Sequence, residues 1–327
     1  MRILVTGSAG HLGEALVRTL RGGEHEPIGA DILPSRYTEL VGSIADADHV
    51  NRCLDGVDVV VHAATLHKPH VATHQPRDFV DTNVTGTLNL LEAAVRRGVR
   101  AFVFTSTTSV FGRALSPKEG EPAAWITEET VPVVKNIYGV TKAAAEDLCE
   151  LFHRRSGLPC LILRTSRFFP EADDSAEIRA RYADENAKTN ELLYRRVDIA
   201  DVVGAHLLAI ARAPSLGFGR YIISATTPFD RDDLAELRRD AAAVVARRFP
   251  DFRAEYERRG WSMFPTIDRV YVNERARRDL GWSPTYDFRQ ALDRLKAGED
   301  ARSALARDVG SKGYHATTFA DGPYPVE

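Results

Sequence analysis

Thr6-Gly7-Ser8-Ala9-Gly10-His11-Leu12-Gly13 decides the reading of this chain. Its glycines have the spacing G-x-x-G-x-x-G. They follow a short apolar run, Ile3–Thr6, and precede Glu14–Leu20, where apolar residues recur at helical spacing. Glycine permits a tight bend and lets a pyrophosphate approach the backbone, while the helix N-terminus supplies free N–H groups and a positive dipole end. The spacing alone is weak evidence, and a plain tight turn is the alternative. Its place between the first strand and the first helix carries the weight. Gly7, Ala9, Gly10, His11, Leu12 and Gly13 are therefore candidate dinucleotide contacts, with the His11 side chain read as a filler at the surface of the turn.

Outward from the turn, His25–Asp31 reads as a second strand ending on an acid. Asp31 stands 18 residues after Gly13. A carboxylate there accepts both ribose hydroxyls of NAD and repels a 2′-phosphate; a helix-capping or loop acid is the other reading. Arg36 partly offsets that repulsion, so NAD is favoured and NADP is not excluded. Ile32 joins the candidate contacts beside Asp31. Further β-rich runs are Val57–His62, Ala101–Thr105, Leu158–Arg164 and Arg220–Ser224. Helical periodicity marks Phe79–Arg97, with Val80, Val84, Leu88, Leu91 and Val95 as its stripe and Gly98 as C-cap. Tyr138–Arg155 and Val202–Ala211 are further helices. Alternation of this kind predicts a Rossmann-type α/β fold, a doubly wound parallel sheet. The dinucleotide-binding domain is expected over 1–165 plus about 197–225. A smaller substrate-binding region is expected over 166–196 and 226–327, with helices at Asp232–Arg248 and Glu274–Leu280 and a Gly/Pro-rich tail, Gly310–Glu327. The charged stretch Glu171–Arg196, Asp174–Arg181 in particular, reads as a solvated helix or loop.

Composition narrows the function. The 327 residues are 44% hydrophobic and 27% charged, with a net charge of -3. That balance argues against neutralising nucleic-acid phosphates. No run approaches the roughly 18 apolar residues of a membrane span, and the N-terminus reads as folded structure rather than a secretory signal. Cys53, Cys149 and Cys160 lack the spacing of a zinc site or a disulfide framework and read as reduced thiols of a cytoplasmic enzyme.

The catalytic candidates lie elsewhere. Tyr138-Gly139-Val140-Thr141-Lys142 is Y-x-x-x-K at a helix start, and positions i and i+4 share a face. Bringing a tyrosine from its usual pKa near 10 to about 7 takes roughly 4 kcal/mol. A nearby Lys⁺ and a positive nicotinamide ring together supply that preference. The phenolate then takes a proton from a substrate hydroxyl while hydride leaves its carbon. Thr105-Ser106-Thr107-Thr108-Ser109-Val110-Phe111-Gly112 ends a strand, at the edge where ligands meet such a sheet. His62, His67, His70 and His74 cluster after another strand. Metal ligation by them is the other reading, but the loop holds Pro69 and no carboxylate before Asp78, so no metal is expected; Lys68 and His70 are better placed to face substrate.

Together these motifs resemble the extended short-chain dehydrogenases/reductases, the group of NAD-dependent sugar epimerases and dehydratases. The residues carrying the resemblance are Thr6–Gly13, Asp31, Val61-His62-Ala63-Ala64, Asn83-Val84-Thr85-Gly86-Thr87, Thr105–Gly112, Tyr138–Lys142, Leu163-Arg164 and Arg278-Asp279-Leu280-Gly281-Trp282. The resemblance implies that Tyr138 is the general base, Lys142 its partner and Thr107 the catalytic hydroxyl. It implies that Ala63 and Ala64 line the cofactor path, that Asn83, Thr105, Tyr138 and Lys142 help form the cofactor site, and that homodimers form through Phe79–Arg97 and Tyr138–Arg155.

The sequence also departs from the group. Phe111 replaces a tyrosine, and Arg167 stands where nucleotide-sugar epimerases commonly carry an asparagine. The segment from Pro170 to Val202 is short for gripping a nucleotide diphosphate. This pattern looks more like uronate-type dehydrogenases, and it makes Arg164 or Arg167 a candidate for binding a substrate carboxylate. A surface ion pair of Arg167 with Glu171 or Asp173 is the alternative. Lys68, Thr107 and Thr108 complete the expected substrate contacts. The expected function is hydride transfer between nicotinamide and a carbinol of a sugar, sugar acid or nucleotide sugar. A catalytically silent, redox-sensing NAD(P)-binding protein is the other reading.

Overall fold

Short β-branched runs with buried residues on both faces form the centre of the molecule, as expected of parallel strands covered by helices. The computed structural model describes residues 1–313 and Phe319; the rest of the expected tail lies outside the described residues. The strands are β1 Arg2–Thr6, β2 Glu26–Asp31, β3 Leu40–Val41, β4 Val59–His62, β5 Ala101–Thr107, β6 Ala124–Ile126, β7 Cys160–Thr165, β8 Phe218–Ile223 and β9 Arg269–Tyr271. Seven form one parallel sheet in the order β3-β2-β1-β4-β5-β7-β8, and β6 pairs with β9 in a second, parallel pair.

Alternate strand residues feed opposite layers. Ile3, Val5, Val59, Val61, Val103 and Leu163 pack against the helices His11–Arg21 and Ile199–Leu216. Leu4, Val60, Phe102, Phe104 and Ile162 pack against Gly86–Arg97 and Ile137–Ser156. Ile199–Leu216 is long and apolar enough to cross a membrane, which the sequence reading missed, and half of that window is buried inside the protein. Its Asp201 carboxylate accepts from the backbone of Thr285 and Tyr286 at 2.9 and 2.8 Å, and its Asp201 carbonyl from Trp282 Nε1 at 3.0 Å. Burial pushes Asp201 up to about 6.

A second core gathers Tyr182, Leu193, Phe229, Val244, Phe252, Phe264 and Phe288. The two cores interleave along the chain. Ala123 belongs to the second, whereas Ala276, Leu280, Trp282 and Val309 return to the first core. The helix expected over 232–248 is broken at Asp240, which caps Ala241–Arg248.

The helix expected over 79–97 is also corrected. Pro76–Phe79 leads into a π-helical turn, Val80–Thr85, and then Gly86–Arg97. The buried face is Phe79, Asn83, Thr87, Leu90 and Ala94. Of the expected stripe Val80, Val84, Leu88, Leu91 and Val95, Leu91 is buried, whereas Val80 and Val95 are exposed. Periodicity misplaced the face because Asn83 and Thr87 are polar yet buried for their hydrogen bonds.

Candidate active site

At the C-terminal edge of the sheet a cavity of about 780 Å³ runs from the glycine turn to β9. Backbone geometry builds its first end. Gly7 has φ +77°, and a Cβ there would lie 2.7 Å from the Ala64 nitrogen. A Cβ on Gly13 would lie 1.9 Å from the Gly7 carbonyl oxygen. Gly10 is the N-cap of His11–Arg21 and no side chain caps that helix, so its first-turn N–H groups suit an anion. Asp31 ends β2, accepting from Ala9 N at 3.0 Å and Leu33 N at 2.9 Å. Thr6 Oγ1 accepts from the backbone of Ala63 and Ala64 and bonds His62 Nδ1 at 2.8 Å. A glycine cradle, an uncapped helix N-terminus and a strand-end carboxylate together fit a dinucleotide.

Gly7, Ala9, Gly10, His11, Leu12, Gly13, Asp31, Ile32, Ala63, Ala64, Thr105 and Tyr138 all line this cavity, as do Lys68, Thr107, Thr108 and Arg167. Three expected contacts lie behind the wall. Asn83 is buried, and its amide bonds Leu66 N and O, Thr65 Oγ1 and Thr141 Oγ1. It joins the loop after β4 to the Tyr138 helix rather than facing a ligand. Arg164 grips Glu146 through Nε and Nη2, with distances from 2.7 to 3.1 Å. Glu146 also accepts from Ser106 Oγ at 2.5 Å. At 4% exposure Arg164 is a core ion pair and, contrary to expectation, does not line the cavity.

Lys142 is the third. Its Nζ donates to the Thr105 carbonyl at 2.7 Å and stands 3.9 Å from the Phe104 ring centroid. Burial pushes Lys142 down to about 7, opposed by Glu146 on the next turn. The Tyr138 phenol is not poised near neutrality by the chain alone. Burial pushes it up to about 12, against a smaller lowering from the Thr107 hydroxyl. The ammonium that was expected to lower it is engaged by Thr105.

Charged segments with no motif build the far end. Arg167 bonds Asp173, Asp174 (2.7 Å) and Glu191 (2.9 Å). Lys68 pairs with Asp174. Glu191, at 1% exposure, also contacts Arg195 and Arg196 at 2.7 Å each. Burial would raise its pKa, yet the three arginines hold it well below the usual carboxylate range. The solvated reading of 171–196 holds for Asp174–Arg181, which contains the helix Ala176–Arg181 and no buried residue, but fails on either side of it, where Glu171, Asp173, Asn190 and Glu191 are buried. His11 is likewise no filler. Its Nε2 bonds Glu171 at 2.8 Å, and that carboxylate also accepts from Ser311 Oγ and the backbone of Lys312 and Gly313. Despite burial, these bonds hold Glu171 at about 2. Lys135, Asn136, Arg195, Arg269, Tyr271 and Lys312 line the cavity unforeseen. Only Asn136 left a signal, as the helix N-cap accepting from Gly139 N at 3.0 Å. No group of three metal-ligating side chains occurs among the described residues.

A seven-stranded parallel sheet with this edge cavity defines a doubly wound α/β fold suited to binding a dinucleotide. The chain belongs to the NAD-dependent epimerase/dehydratase family, whose model matches residues 3–220. A 3β-hydroxysteroid dehydrogenase/Δ5→4-isomerase of Mycobacterium tuberculosis is 26% identical over 89% of this chain and 88% of its own. A UDP-glucose 4-epimerase of Rhizobium meliloti is 28% identical over 88% of this chain and 93% of its own. Among solved structures, a short-chain dehydrogenase/reductase superfamily protein from Agrobacterium tumefaciens with bound NAD has a TM-score of 0.66, at 24% identity, covering 91% of this chain and 96% of that one. That last likeness concerns the fold.

Proposed function

We propose that this enzyme oxidises a carbinol carbon of a sugar-like molecule in the cytoplasm, with Tyr138 as general base. One observation carries the reading: the Tyr138 phenol and the Thr107 hydroxyl meet on the cavity wall between the glycine turn and the charged far end. NAD, when bound, would supply the hydride acceptor and, while oxidised, a positive ring beside the phenol. Gly7, Gly10, Gly13 and the first turn of His11–Arg21 would hold its pyrophosphate, and Asp31 its adenosine ribose. Thr107 donates a hydrogen bond to the reacting oxygen, and Tyr138 takes the proton from that oxygen. Lys142, one turn on and fixed on the Thr105 carbonyl, would in its protonated form add positive charge near the phenol.

The polar far end suits a hydroxyl-rich substrate better than a steroid skeleton. The same first step serves a dehydrogenase, an epimerase or a dehydratase. Net NADH formed with a sugar acid marks the first; tightly held NAD with no net NADH marks the others. Tyr138→Phe should lower kcat/KM at least about 10²-fold while leaving NAD affinity within twofold. Unchanged activity would remove the mechanism. We further propose a homodimer through the face bearing Val80, Val95 and Val140, all exposed in the single chain.

A further inference from the structure

The far end of the cavity holds two guanidinium groups that the protein leaves incompletely paired. Arg195 precedes the helix Ile199–Leu216, and Arg269 opens β9. Both line the cavity and stand close enough to repel each other. Arg195 uses Nη2 on Glu191 at 2.7 Å and Asp173 at 3.5 Å. Arg269 uses Nη1 on Asp268 at 2.7 Å. The Nε of each is buried with no hydrogen-bond partner, and so is the Oγ of Ser166, a third lining residue. Neighbouring arginines differ. Arg167 bonds three carboxylates, and Arg196 bonds Glu191 and the Phe169 carbonyl. Three buried polar atoms without partners thus belong to residues that line one wall of the cavity, and buried polar groups are normally paired.

We propose that Arg195 and Arg269, with the Ser166 hydroxyl, form a subsite for one anionic group of the substrate, a carboxylate or a phosphate. This rests on the proposed oxidation of a sugar-like carbinol and narrows it to anionic sugars. A planar fork of N–H donors matches the two oxygens of either anion. The subsite replaces Arg164, which is sealed behind the wall, and Arg167, whose charge Asp173, Asp174 and Glu191 already answer.

The test uses the full chain saturated with NAD and isothermal titration of D-glucuronate, glucose 6-phosphate and neutral glucose. One of the two anions should bind at least tenfold more tightly than glucose, and which one identifies the group. Arg269→Gln should weaken that binding at least tenfold and leave NAD affinity unchanged. Arg269→Lys should restore it only in part, because a single ammonium lacks the fork. Equal binding of glucose and both anions overturns the subsite, as does anion binding indifferent to Arg269→Gln. Turnover separates this inference from the one beneath it. Oxidation of neutral sugars that needs Tyr138 but ignores Arg269 overturns the subsite alone. Anion binding that needs Arg269, with turnover indifferent to Tyr138→Phe, supports the subsite and overturns the general-base reading.

Discussion

The two ends of the cavity are built in different ways. At the glycine turn the protein presents its backbone: Gly7, Gly10 and Gly13 shape the bend, and Ala63 and Ala64 hang on Thr6. At the far end it presents long side chains from separated segments, with Glu191 meeting Arg167, Arg195 and Arg196. A backbone site constrains which residues fit, so it leaves a pattern in the sequence. A side-chain network constrains only the final pairing, so before folding its members resemble any solvated charge.

The largest effect should come from breaking the far-end network. Glu191→Gln leaves three guanidiniums around a neutral amide, and losing one member of a buried ionic cluster costs about 3–5 kcal/mol. Urea denaturation should show that loss while NAD affinity stays within twofold; a parallel loss of NAD affinity would mean that the two ends are coupled.

Acid should then separate the two ends by pH. His206 bonds Thr105 Oγ1 and the Val202 carbonyl beneath the sheet, and burial pushes it down to about 4. Its folded pKa lies below the unfolded value. Its contribution is therefore complete above about pH 6.5 and fades as pH falls toward 4, worth roughly 3 kcal/mol in all. Glu171 is also depressed, to about 2, so its share is present above about pH 4.5 and fades only below that. Asp201, pushed up to about 6, acts with the opposite sign: the folded state takes up its proton first and gains stability between about pH 6 and 4, offsetting much of the His206 loss. The net fall should therefore be steepest below about pH 4; His206→Gln should raise stability at about pH 4–5 relative to pH 7 in denaturation curves taken at intervals of pH, and Glu171→Gln should flatten the fall at the acid end.

Gly13→Ala tests the backbone end. The added methyl meets the Gly7 carbonyl, and such overpacking costs about 1–3 kcal/mol. NAD affinity by fluorescence titration should fall roughly tenfold or more, with the far-end anion affinity little changed in protein saturated with NAD. The smallest effect belongs to the outer face. Val140→Arg should move the mass measured by light scattering from dimer to monomer, while monomer stability changes by less than about 0.5 kcal/mol. A mass unaffected by that charge would remove the proposed dimer face.

The sheet, the glycine turn, Asp31 and the position of Tyr138 were legible because each obeys a short-range rule of spacing or strand-end placement. Asn83 and Lys142 were recognisable by resemblance, but their orientation was not: whether a polar side chain faces a ligand or the wall behind it depends on partners such as Leu66, Thr141 and Thr105. Arg164 misled because a buried partner eight residues past Tyr138, Glu146, becomes its neighbour only when β7 lies beside the helix. Arg269 and Tyr271 left no mark, since a three-residue strand paired to another short strand has too little periodicity to read.

The π-helical turn at Val80–Thr85 fits one more residue into its circuit than an α-turn would. Each residue advances a helix by about 100°, so this surplus sets the angular phase between Phe79 and Leu90. Removing a single residue here would relax the spiral and swing Asn83 off the loop that carries Lys68. Chain length across these six positions is thus a calibrated dimension of the molecule: side chains can drift there more freely than their number.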